Sequence, residues 1–137
     1  MAFREKIAWA AFVTTVLIWG GYFAVVATRA HAHDLVLLWL FIAATIAQAV
    51  LMAAVTAIWA IRSPGEAHAP ADERDRAIGR SATGIAYIVV LLGIVAIIVW
   101  LHLGLRGMQT VFALAAVFIL GEAVRFGAQA IGYRQGA

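Results

Sequence analysis

Three stretches of this chain hold no Asp, Glu, Lys or Arg: Ile7–Thr28, Leu35–Ile61 and Ser81–Leu105. A fourth, Met108–Gly132, holds only Glu122 and Arg125. A helix of about 20 residues, rising about 1.5 Å per residue, covers the roughly 30 Å hydrocarbon core of a bilayer. Each of the four runs is long enough. Within a bilayer the backbone must satisfy its own hydrogen bonds, so the runs are read as helices. Composition agrees: 65% of residues are hydrophobic and only 12% charged, where a soluble domain is about a quarter charged. The expected fold is all-α, an integral membrane four-helix bundle forming one domain over residues 1–137. Its spans lie at about 7–28, 35–61, 81–105 and 108–132, with a loop at 62–80.

Two alternatives bear on the first run. Ala30-His31-Ala32 has the small-x-small look of a signal-peptide cleavage site. A signal h-region spans only about 7–15 residues, however, and the run before it is longer, so a retained first helix is expected. Orientation follows from Lys and Arg. Arg4, Lys6, Arg62, Arg74, Arg76, Arg80, Arg125 and Arg134 fall on one side, against Arg29 and Arg106 on the other. The positive-inside rule then places both termini and the 62–80 loop in the cytoplasm, and the implied location is a bacterial inner membrane. Pro64 and Pro70 in that loop are expected to break helix. Ala49, Ala53 and Ala57, Ala123 with Gly127, and Gly20-Gly21 are small-residue positions where helices could approach closely.

Several function classes drop out. No cysteine is present, which removes disulfides, thiolate metal sites and thiol catalysis. No nucleophile–base pair supports a hydrolase or transferase, so an enzyme is not expected. No basic soluble face exists for nucleic acid. No cofactor is expected.

The polar residues that remain are the candidates. Glu122 is the only carboxylate inside a span, and Arg125 follows it at i+3 on the same helix face. The pair reads either as a proton or cation site or as a self-satisfied anchor. Gln48 sits mid-span with Thr45 one turn away and Thr14 and Thr15 at similar depth in the first helix. Interhelical hydrogen bonding or a substrate-lining role would use such an amide. His31, His33 and His102 gather with Asp34 toward the opposite side. These are adequate ligand types for zinc or copper, but their spacing fixes no geometry, and a solvated turn accounts for them as well. Trp9, Trp59, Trp39 and Trp100 suit interfacial belts, and Trp19 suits packing.

The densest charge in the chain is Asp72-Glu73-Arg74-Asp75-Arg76. Pro70 precedes it, Asp72 can cap a helix, and Glu73 and Asp75 suit the positive end of a helix dipole. Asp72 with Arg76 has i, i+4 spacing, and Arg80 lies one turn on, facing anionic head groups. The run reads as a salt-bridged lead-in to the third span or as a docking surface.

The charged run, then Ile78, then Ala86-Tyr87 entering an apolar span, resembles a family of small bacterial and archaeal membrane proteins known as a domain of unknown function. Members are similar in having four spans, an acidic-basic lead-in to the third, and a Tyr-Arg-x-Gly ending, matched here by Tyr133-Arg134-Gln135-Gly136. Glu122 and Arg125 stand where members often carry charge. The likeness covers about residues 70–136. It implies the fold and the cytoplasmic face, and no activity, substrate or cofactor.

The leading functional expectation is a non-enzymatic accessory or regulatory protein. Its partner is a protein or a second copy of the chain, met through a cytoplasmic face of Asp72, Glu73, Arg74, Asp75, Arg76, Arg80, Tyr133 and Arg134. The alternatives are a small homo-oligomeric transporter or channel using Glu122, and a metal-binding membrane protein using the histidines.

Overall fold

The computed structural model describes residues 3–28 and 34–135. Among them the regular structure is entirely helix: α1 (Phe3–Thr28), α2 (Asp34–Arg62), α3 (Pro64–His68), α4 (Glu73–His102) and α5 (Met108–Gln135). All but α3 are long and apolar enough to cross a membrane. At about 1.5 Å per residue, the 26 residues of α1 extend about 39 Å, more than the roughly 30 Å of a bilayer core.

Both prolines of the 62–80 segment were expected to interrupt helix, and only Pro70 lies outside one. Pro64 opens the short helix α3. The first position of a helix needs no backbone N–H, and the fixed φ of proline suits it. The helix of the third span begins at Glu73, well before Ser81. The reason is local: Asp72 supplies an N-cap and so nucleates helix from the charged run onward. At its other end α4 stops at His102. The N–H of Leu105 donates to the Trp100 carbonyl and that of Gly104 to the Leu101 carbonyl. Gly104 has φ 116° and Gly107 φ 59°, backbone values that side-chain-bearing residues resist. The chain therefore reverses within a few residues and enters α5.

The helices are arranged in the order α2, α1, α5, α4: α1 packs on α2 and α5, and α5 packs on α1 and α4. α2 and α4 share no interface of comparable extent, so the bundle is open on that side. Its buried cluster is Trp19 and Tyr22 of α1 with Ile119 of α5, flanked by Phe23, Val26, Leu40, Phe41 and Ala44. The Trp19 ring lies 5.1 Å from that of Phe41 and 5.7 Å, edge-on, from that of Tyr22. These are favourable aromatic separations. α1 carries the most buried residues of any helix, six in all.

Close approach uses Gly127, as its spacing in the sequence suggests, and three further glycines that the sequence does not mark out. A Cβ on Gly93 would stand 2.6 and 2.7 Å from the two methyls of Val117, and one on Gly121 would collide with Val90. Gly127 faces Phe12, and Gly132 faces Ile78. By contrast nothing lies within 4 Å of a Cβ built on Gly20 or Gly21. Ala49, Ala53 and Ala57 are exposed on α2. Small-residue spacing marks a helix face that can be approached, and it carries no information about whether a neighbour is there.

The two ends of the bundle differ in character. The end where α1 and α4 start and α2 and α5 finish carries α3 and the charged run. At the opposite end lies the α4–α5 turn.

Candidate functional site

The site is built outward from the cap of α4. Asp72 has extended backbone (φ −76°, ψ 177°), and its Oδ1 accepts from the N–H of Asp75 at 2.6 Å. Asp75 reciprocates, its Oδ2 accepting from the N–H of Asp72 at 3.2 Å. This capping box uses an Asp where Glu or Gln is usual. It also displaces an expected contact. The i, i+4 spacing of Asp72 and Arg76 suggested an ion pair. Asp72, however, precedes the helix, and its carboxylate turns back to the backbone, so only the Arg76 N–H reaches it, through the Asp72 carbonyl at 3.2 Å. The Arg80 Nε in turn donates to the Arg76 carbonyl at 3.4 Å.

Onto this cap α1 docks. The Arg4 Nε lies 3.1 Å from the Asp75 Oδ2, and its Nη2 donates to the Ala69 carbonyl at 2.9 Å. The N–H of Phe3, one of the four at a helix start without an intrahelical partner, donates to the Glu66 Oε2 of α3 at 2.9 Å. From the other side, Arg74 donates to the Tyr133 carbonyl near the end of α5 at 3.4 Å. Four helices are thereby tied together at one end. Arg4 and Arg74 serve as crosslinks, while Glu73, Arg76, Arg80 and Arg134 stay exposed around them. The sequence brought forward Asp72 through Arg76 and Tyr133. It did not bring forward Phe3, Arg4, Glu5 or Glu66. A basic residue at the start of α1 and an acidic one in the loop of the same end were the available signal, but orientation drew on Arg4 only as one of the Lys and Arg and did not draw on Glu66.

Between these elements lies an open cleft of about 630 Å³, lined by Glu5, Glu66, Asp72 and Asp75 together with Arg4, Arg74, Phe3, Tyr133, Ala69 and Pro70. A smaller cleft of about 310 Å³ adjoins it, sharing Phe3, Arg4 and Tyr133 and running along Ile7, Ala8 and Ala11 of α1 to Phe126 of α5. Glu5 is 8% exposed.

The remaining candidates lie apart from this end. Glu122 and Arg125 pair directly on α5, Nη2 to Oε2 at 2.5 Å. The guanidinium also sits 4.6 Å over the Phe126 ring, a cation–π distance. The Gln48 Nε2 donates to the Thr15 Oγ1 at 2.9 Å and to the Thr14 Oγ1 at 3.3 Å, joining α2 to α1. Thr45 takes no part, since its hydroxyl donates to the Phe41 carbonyl of its own helix. The His102 Nδ1 lies 2.8 Å from the Ile98 carbonyl, which engages that nitrogen within α4. His31, His33 and Arg29 lie outside the described residues. Among the described residues no three His, Asp or Glu side chains converge in a metal-binding arrangement.

Together these features define an all-helical chain with four helices able to span a membrane and one charge-crosslinked end. In comparisons with known proteins, no family model, no curated protein and no solved structure matches it.

Proposed function

We propose that the protein is a non-enzymatic, multi-pass protein of a bacterial inner membrane that acts as an accessory or regulatory interaction partner. Both termini lie in the cytoplasm, and the partner docks on the charged end. The carrying observation is the crosslinked frame of Arg4, Asp75, Glu66, Arg74 and Tyr133. Such a frame holds its outward charges, Glu73, Arg76, Arg80 and Arg134, in fixed relative positions. Fixed charge patterns give partner choice and association rate more than raw affinity. Lys and Arg asymmetry supports the orientation.

The transport reading has less support, because Arg125 already engages the Glu122 carboxylate. The test is cross-linking in native membranes followed by identification of the captured chains. Charge reversal at Glu73, Arg76 and Arg80 leaves the frame untouched and should abolish capture of a specific partner. An unchanged set of captured chains would sink the docking reading. The mass of the detergent-purified complex tells a second copy of the chain from another protein.

A further inference from the structure

We infer that the paired clefts at the charged end bind an amphiphile with a primary ammonium head, with Glu5 as its counter-ion. This goes beyond the docking of a protein on the outer charges and stands without it. The larger cleft is acidic: four carboxylates line it against two guanidinium groups. Three of the carboxylates are already engaged. Asp75 holds Arg4 and the Asp72 N–H, Asp72 holds the Asp75 N–H, and Glu66 holds the Phe3 N–H.

Glu5 is different. It is more than nine-tenths buried, lines the cleft, and has no hydrogen-bond or ion-pair partner among the described residues. Its stem is packed away while its carboxylate oxygens are not enclosed, so a cation or donors can complete it only from the cleft. Arg4, the neighbouring cation, is committed to Asp75 and to the Ala69 carbonyl, which leaves the position for a cation to the ligand.

The second cleft supplies the other half of the ligand. It shares Phe3, Arg4 and Tyr133 with the first and continues over Ile7, Ala8, Ala11 and Phe126, with Thr56 and Gln129 as polar side chains on its wall. A molecule seated in both has its charge beside Glu5 and its hydrocarbon along the α1–α5 groove. A primary ammonium suits this site because its three donors are compact, as in a lysine head. Two sources offer that chemistry: the ethanolamine head of a membrane phospholipid and a free alkylamine.

The experiment uses the full chain in nanodiscs. In discs of phosphatidylcholine with phosphatidylethanolamine, retained lipids are counted by native mass spectrometry. In discs of phosphatidylcholine alone, octylamine is titrated by calorimetry. Retention of phosphatidylethanolamine at least fivefold over its share of the disc, lost in Glu5→Gln, supports the site with a lipid as ligand. One octylamine bound per chain, weakened about tenfold in Glu5→Gln, supports it with a free amine. Neither binding, or binding unchanged in Glu5→Gln, overturns it. Should Glu5→Gln not assemble, Glu5→Asp serves instead, keeping the charge but drawing it back from the cleft by one methylene. A drop of about threefold is expected there, and unchanged binding overturns the site.

Discussion

The α4–α5 and α1–α2 interfaces both join neighbouring helices of one hairpin, and they are built on opposite principles. The first is close and carries few polar groups: Gly93 receives Val117, Gly121 receives Val90, and Gly132 receives Ile78. The second is held apart by bulk, with Trp19 and Tyr22 against Phe41, and is pinned by one amide, Gln48, on Thr14 and Thr15. Lipid competes with apolar side chains as a solvent, so helix association in a bilayer rests on contact density and on hydrogen bonds. One hairpin uses mainly the first means and the other uses both. The close interface should therefore fail when atoms are added, and the bulky one when atoms are removed.

The largest expected effect is at the bulky interface. Trp19→Ala removes a buried ring and its aromatic contacts, and should lower stability by about 3 kcal/mol, the low end for large-to-small changes at buried aromatics. Unfolding in mixed micelles with increasing denaturing detergent measures it. An effect as small as that of an exposed Trp39→Ala control would break the comparison.

Gly93→Ala comes next, at about 2 kcal/mol, because overpacking a tight contact costs about 1–3 kcal/mol. Rotating Val117 brings one methyl as another leaves, so both clashes are not relieved together. Val117→Ala in the same chain should restore most of the loss, and a double-mutant cycle reads that coupling. Gly20→Ala is the matched control. Its added Cβ meets nothing, and stability should hold or rise by up to about 1 kcal/mol. Gln48→Leu should cost about 0.6 kcal/mol, the average for interhelical side-chain hydrogen bonds in membranes. A loss above about 2 kcal/mol would mean that polar contact, and not bulk, dominates the α1–α2 interface. The smallest effect is expected for Arg4→Ala, under about 1 kcal/mol. Its ion pair with Asp75 is partly exposed, and the difference from wild type should shrink as salt is raised.

The four long helices and the cap at Asp72 were legible in the sequence because each follows from local chemistry: charge-free length, and a short polar side chain before an acidic turn. The position of Trp19 was legible for a related reason, since a large ring in mid-span packs where it can. The choice of neighbours was not. Gly20-Gly21 and the Ala49, Ala53, Ala57 ridge resemble packing motifs as closely as Gly93 and Gly121 do, yet only the latter meet a partner. Pairing of helices depends on atoms far apart in the chain, which spacing within one helix does not encode. The same limit hid half of the charged end. Asp72 and Asp75 announce themselves in a run, whereas Arg4, Glu5 and Glu66 gain meaning only once α1 and α3 are set beside α4.

The order α2, α1, α5, α4 has a consequence for biogenesis. Two of its three helix contacts are made within hairpins, between long helices that follow one another in the chain. Only the α1–α5 seam joins the early half of the chain to the late half, and the latch from Arg4 to Asp75 closes across the same divide. Each helix of a hairpin has its partner at hand as soon as both are made, and local contacts of this kind form quickly. Uniting the halves has to wait for α5, which follows the other three long helices in the chain. Until then the face of α1 that will meet Gly127 has no helix against it, and closing that seam turns two hairpins into one bundle.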